Sequence, residues 1–187
     1  MTRTLLLIIF LPSLLAGCGK ANVDVATPCN QVESLLSEAD LFRHKAYTTL
    51  KQVQALHGLW TKMANKQALS DEEKILASPY SQPGEILWHM RGLKEAMFVS
   101  CDATSNFRSK ARWTLSDLGN RLRETDPDKA RAMDSLAAKL VADKEGSCTK
   151  QFLNRFDFVF KPEDVDQTKE WVDGLQQEER AIRESCQ

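Results

Sequence analysis

The sequence predicts an all-α fold, an elongated antiparallel helical bundle built on two long helices with shorter helices packed against them. Two observations carry this expectation. Apolar residues recur at steps of three and four over two long stretches, Val32 to Met63 and Ile86 to Leu122. Glycine and proline are sparse, at 8 and 6 of 187 residues, and several of the prolines stand where a helix would begin. Four cysteines spread through the body add an expectation of two disulfides bracing the bundle.

Residues 1–17 precede these elements and read as a targeting segment. A short start carrying Arg3 leads into an apolar run from Leu5 to Leu15, broken only by Pro12 and Ser13, and then into small residues. The run is too short to cross a hydrocarbon core of ~30 Å as a permanent helix. Leu15-Ala16-Gly17-Cys18 resembles the lipobox of bacterial lipoproteins. The resemblance implies a diacylglycerol on the Cys18 thiol, cleavage just before it and acylation of the new amino group. Two or three acyl chains hold a protein on its membrane for practical purposes permanently. Gly19, where the family's inner-membrane retention signal would be Asp, implies the outer membrane with the body facing the periplasm. In a Gram-positive source the same anchor implies the outer face of the plasma membrane.

Removing residues 1–17 from 187 leaves 170, enough for one domain with its own core. The removed segment carries only Arg3, so 25 basic residues become 24 against 26 acidic, a net charge of about −2. That balance gives no sign of a nucleic-acid partner or a polybasic membrane patch. The lipid on Cys18 is therefore the expected membrane anchor, and residues 18–26 the tether, at most ~28 Å long for the eight residues after Cys18. Residues 27–187 form the expected helical domain.

Within that domain Thr27-Pro28 reads as a helix start, with the hydroxyl as cap and proline at the first helical position. Val32, Leu35, Ala39, Phe42, Ala46, Val53, Leu56, Trp60 and Met63 then form one stripe broken at Thr49, with Gly58 as a point of bending. Ser70-Asp-Glu-Glu73 is a capping box for a short helix before Pro79. Gln82-Pro83 opens the second long helix, whose stripe runs through Ile86, Met90, Leu93, Met97, Cys101, Thr104, Ala111, Leu115, Leu118 and Leu122, with Arg108 as a polar break. "DATSN" (102–106) is a weak helix former, yet it holds no Gly or Pro, so one long helix, with or without a kink, is favoured over two. Asp126-Pro127 starts a further helix with Ala130, Met133, Leu136 and Leu140 inward and Gly146 as its stop. The last begins near Pro162 and aligns Val165, Thr168, Val172, Leu175, Ile182 and Cys186.

With Cys18 assigned to lipid, Cys29, Cys101, Cys148 and Cys186 remain, an even set in an exported chain. No Cys-x-x-Cys spacing occurs among them, which speaks against redox or zinc sites. If the long helices are antiparallel, Cys101–Cys148 and Cys29–Cys186 are the pairs brought together. If "DATSN" is a turn, Cys29–Cys101 and Cys148–Cys186 become the better pairing.

Signatures of catalysis are weak. His44, His57 and His89 have no partners at metal-ligand spacing. "ILWHMRG" (86–92) is faintly similar to a helix of the DinB-like metal-binding bundles, but the downstream histidines that such a site needs are missing. No Gly-x-Ser-x-Gly occurs, and the carboxylates alternate with basic residues as on solvated faces; Gln176-Gln177-Glu178-Glu179-Arg180 is read that way. No metal or cofactor is expected, nor an enzyme. The feature least explained by a plain bundle is "QFLNRFDFVFKP" (151–162), where Phe152, Phe156, Phe158 and Phe160 either plug the bundle or form an aromatic hook for a partner.

The expected function is a membrane-anchored, periplasm-facing interaction or envelope-assembly module with an envelope protein as partner. In architecture, though in no motif beyond the lipobox, this is similar to secretion-system pilotins. The alternatives are an immunity or inhibitor lipoprotein and a carrier of an apolar ligand.

Overall fold

The computed structural model describes residues 23–140 and 163–186, and all of its regular structure there is helical. Helix α1, Ala26–Ala64, runs through Gly58 without interruption. Its start differs from the expected Thr27 cap. The helix begins two residues earlier, at Ala26 rather than Pro28, and the Thr27 backbone N–H donates to Asp24 Oδ1 at 3.3 Å, so the aspartate closes the first turn. Its seam also lies slightly off the expected one. Leu36, Arg43, Leu50 and Leu59 are buried where Leu35, Phe42 and Trp60 had been expected, and these latter three are half-buried.

At its other end α1 stops in a left-handed residue, Lys66 (φ 54°), and Gln67 N–H donates to Lys62 O at 2.8 Å. Such a turn satisfies terminal carbonyls and is usually made by glycine. The short helix α2, Asp71–Ala77, carries both halves of the capping box: Glu73 N–H donates to Ser70 Oγ and Ser70 N–H to Glu73 Oε2. Lys62 Nζ, 2.6 Å from Glu73 Oε1, fastens this helix to the end of α1.

Helix α3, Pro83–Leu122, is continuous through "DATSN". Local bonds explain why weak helix formers do not divide it. Thr104 Oγ1 donates to Ser100 O, and Asn106 Nδ2 donates to Asp102 Oδ2 one turn back. Thr104 Oγ1 also lies 3.3 Å from Ala39 O on α1, so this residue faces the neighbouring helix.

The two long helices are antiparallel. Cys29, Val32 and Leu36 pack with Ala111, Leu115, Leu118 and Leu122, whereas Val53, Leu56 and Leu59 pack with Ile86 and Met90. Midway, the Phe42 and Phe107 rings stack at 5.7 Å. Each fully buried Leu or Met of this seam is worth ~1.5–3 kcal/mol in transfer free energy, so the hairpin is the main apolar element of the fold.

Helix α4, Pro127–Lys139, starts with the Asp126 side chain accepting from Lys129 N–H. It lays Ala130, Met133, Leu136 and Ala137 on the lower end of α3. Gly119 permits the approach: a Cβ there would stand 2.7 Å from Asp134 Oδ1 and 3.4 Å from Ala130 O. Gly146, the expected stop of this helix, lies outside the described residues.

Helix α5, Glu163–Cys186, descends along α1 with Val172, Leu175, Glu179, Ile182 and Cys186 buried; the Val165 and Thr168 side chains lie outside the description. Cys186 is disulfide-bonded to Cys29 with Cα atoms 5.5 Å apart. Cys101 is disulfide-bonded as well, and Cys148, its expected partner, lies outside the described residues. A Cys29–Cys101 bridge is excluded by the first of these bonds, in keeping with the unbroken α3 on which that alternative foundered. Among the described residues no helix is long and apolar enough to cross a membrane.

Candidate interaction surface and the buried ion cluster

Two groups of residues stand out from a plain bundle. The first is the outer face of α3. Trp88, Val99 and Trp113 are 72%, 63% and 65% exposed. Their separations of 11 and 14 residues are close to whole numbers of helical turns, so all three share one side of the helix, and the two indoles lie ~38 Å apart along it. Each indole is covered in part by a guanidinium from its own helix. Arg91 lies 4.9 Å from the Trp88 ring centre and Arg112 5.3 Å from that of Trp113. Such contacts keep an exposed indole ordered while leaving one ring face open. Phe98 on the adjoining flank, with Ile75 and Leu76 of α2, is also exposed. Glu95, Asp102 and Asn106 lie between the apolar positions, so the face is mixed rather than greasy.

The second group is buried. Arg43 of α1, Arg108 of α3 and Glu179 of α5 meet where the three helices come together, and each is almost wholly withdrawn from solvent. Arg43 Nη1 and Nη2 grip the two carboxylate oxygens of Glu179 at 3.0 and 2.7 Å, a bidentate pair. Arg108 Nη1 donates to Glu179 Oε1. At the rim, Asp40 Oδ1 accepts from Arg43 Nη2 at 2.8 Å and Glu178 Oε1 stands 3.9 Å from Arg108 Nη2. Burial alone pulls the Arg43 pKa down, but the hydrogen bonds and charges of Glu179, and then of Asp40, outweigh it and hold the guanidinium above its ordinary value.

This cluster corrects the reading of residues 176–180 as a solvated face, because Glu179 is fully buried. The signal was present but indirect. Glu179 falls three residues before Ile182 and four after Leu175, on the apolar stripe itself, and Arg43 falls likewise between Ala39 and Ala46. A charge on a buried seam calls for a partner, and two basic seam positions and one acidic one supply each other.

The three histidines do not converge on a metal. His44 Nδ1 is 3.0 Å from Asp40 O, His57 lies against Trp60, and His89 Nδ1 is hydrogen-bonded to Tyr80 OH on the exposed surface. Among the described residues no group of three or more His, Cys, Asp or Glu side chains is placed to hold a metal ion. The Tyr80 hydroxyl is shifted above its usual pKa by partial burial. Cys18, Phe152, Phe156, Phe158 and Phe160 lie outside the described residues. No protein family, curated protein or solved structure matches this chain.

Proposed function

We propose that this protein is a lipid-anchored interaction module of the bacterial envelope, tethered through Cys18 and presenting the outer face of α3 to a protein partner. The observation that carries the reading is the row Trp88, Val99 and Trp113, three large apolar side chains left open on one face of a long helix. Trp and Arg are the residues most enriched among the anchors of protein interfaces, and here they occur as Trp88 with Arg91 and Trp113 with Arg112. The tether after Cys18 is short, so a partner would be an envelope protein within reach of the same membrane.

The test is site-specific photocrosslinking in the native envelope from Trp88, Trp113 and, as a control, Lys139 on α4, alongside metabolic labelling with a palmitate analogue. The expected result is label on the wild type that Cys18→Ser abolishes, and a crosslinked protein from the two α3 positions only. Trp88→Ala with Trp113→Ala should abolish capture from a third site, Val99, while changing stability by no more than ~0.5 kcal/mol per site. Absence of label would refute the anchor, and equal crosslinking from all positions would refute the surface. Capture of a secreted hydrolase would make the protein an inhibitor or immunity lipoprotein, and recovery of lipid alone a carrier.

A further inference from the structure

The outer face of α3 carries its charges in a definite order. Between Trp88 and Trp113 one line along the helix passes Gly92, Glu95, Val99, Asp102, Asn106 and Ser109, all of them exposed. Carboxylates stand in the middle of the line and indoles at its ends. Beside the ends stand two cations, Arg91 over the Trp88 ring and Arg112 over that of Trp113. Several surface cations of this protein have a carboxylate of their own: Lys62 has Glu73, Lys74 has Asp71, Arg123 has Asp134 and Arg131 has Asp128. Among the described residues Arg91, Arg112 and Glu95 have no such ion pair, although Arg91 and Glu95 are only one helical turn apart. Asp102 accepts from Asn106, a neutral donor.

A second copy of the chain does not complement this order. In a parallel pair Glu95 would face Glu95 and Asp102 would face Asp102. In an antiparallel pair with Trp88 opposite Trp113, Arg91 would come nearest Arg112 of the second copy, while Glu95 would face Asn106 and Asp102 would face Val99. Like charges brought together are costly, so the complement is a different chain.

The spacing also selects the form of that chain. Trp88, Glu95 and Asp102 succeed one another at seven residues, ~10.5 Å along the helix axis. A helix lying alongside returns the same face after the same ~10.5 Å, whereas an extended strand returns it at ~6.6 and ~13 Å and misses that distance. Between the indoles no side chain on the line is larger than that of Glu95, so a straight segment fits between two projecting tryptophans.

Taking the outer face of α3 as the interaction surface, we propose that its partner is an α-helix of an envelope protein that lies along α3 over ~38 Å. Two basic residues of that helix, seven apart, face Glu95 and Asp102. At each end an apolar side chain meets the indole and a carboxylate meets Arg91 or Arg112. From Asp102 to Trp113 the step is longer than the two before it, so the order matches one direction and one register of the partner. Charges at such a surface decide which partner docks and how it is aligned, and the indoles supply the larger share of affinity.

Photocrosslinking residues at Gly92 and Ser109, in the full chain in its native envelope, test this while leaving the four charges and both indoles in place. Both positions are exposed, and a Cβ at Gly92 meets nothing within 4 Å. The site of each adduct on the partner is read by mass spectrometry. The expected result is two adducts on one partner chain, about 17 residues apart, with two Lys or Arg seven residues apart between them. Adducts on different proteins, at another spacing, or around a segment with carboxylates in place of the cations would overturn the proposal and leave α3 as an interaction surface. No adduct from either position would overturn both.

Charge reversal gives a second readout. E95K/D102K and R91E/R112E should each lower the adduct yield on the order of tenfold, at an unchanged midpoint of unfolding because none of the four side chains is buried. Exchanging the mapped partner cations for glutamates should restore the yield with E95K/D102K and not with R91E/R112E. Undiminished yield in the reversed variants, or rescue of both or of neither, would refute the charge matching.

Discussion

Replacing Glu179 by glutamine is the sharpest test of how the three helices are held. The change keeps volume and shape but removes the charge between two guanidiniums and turns one carboxylate oxygen into a donor. Whichever way the amide is turned, an NH2 group faces an N–H of Arg43, because both carboxylate oxygens now accept from that side chain. The Arg108 contact is lost or weakened at the same time. With Arg43 and Glu179 both fully buried, breaking such a pair costs ~3–5 kcal/mol, since two buried cations are left without the carboxylate between them.

For a domain of this size ~1 kcal/mol corresponds to about 2–4 °C, so the midpoint of thermal unfolding, followed by circular dichroism with the disulfide intact, should fall by roughly 6–20 °C. R43M/R108M/E179L should recover most or all of that loss. A fall of under ~1 kcal/mol in the single variant would mean that water reaches the guanidiniums, and the picture of a dry cluster would be wrong. The Arg43 side chain itself does not titrate in this experiment. Its pKa is raised above its ordinary unfolded value, so its contribution is fully present below that value and is lost only as pH climbs through the higher folded one.

Lys66→Gly should raise stability by ~0.5–1 kcal/mol in chemical denaturation, because a lysine now occupies a left-handed conformation (φ 54°) that glycine adopts without strain. Gly119→Ala should be nearly neutral: the new Cβ displaces the end of the flexible, exposed Asp134 side chain and its ion pair with Arg123, against a helix-propensity gain of ~1 kcal/mol. Gly119→Leu should instead lift α4 and unfold the lower bundle at markedly lower temperature. Leu36→Ala, at a fully buried position of the α1–α3 seam, should cost ~2.7–5 kcal/mol in the same denaturation assay. The Glu73 carboxyl is held below its ordinary 4.5 by Lys62 and by the Ser70 N–H. The support it gives α2 is therefore present above that value and lost as pH falls through the lower folded one, so the protection of the Ser70 and Glu73 amides relative to their intrinsic exchange rate at each pH should fall on acidification, and Glu73→Gln should lower it in the same way at neutral pH.

Much of this fold is readable from residue order because its largest element, the α1–α3 hairpin, is held by local periodicity. Steps of three and four mark a helix whatever lies across from it, and the capping box at Ser70 and the proline starts at Pro83 and Pro127 are contained within four residues of chain. The pairing of Cys29 with Cys186 could be reached from such elements by measuring helices end to end. The seam of α1 was harder to place. Leu35 and Leu36 are adjacent apolar residues, as are Phe42 and Arg43 one apolar and one charged, and periodicity favours Phe42. What seats Arg43 inward is Glu179, 136 residues later. A single charged residue on an apolar stripe looks like an interruption until its counter-ion is known, and the counter-ion is fixed by tertiary packing. The same reasoning applies with opposite sign to Trp88 and Trp113. Their size suggests burial, but their positions fall opposite Met90 and Leu115 on α3, so the helix that buries the leucines must expose the tryptophans. Three charges inside and two indoles outside thus follow from one rotation of α1 and α3 about their axes, the rotation that α5 locks by presenting the buried Glu179 carboxylate to both arginines.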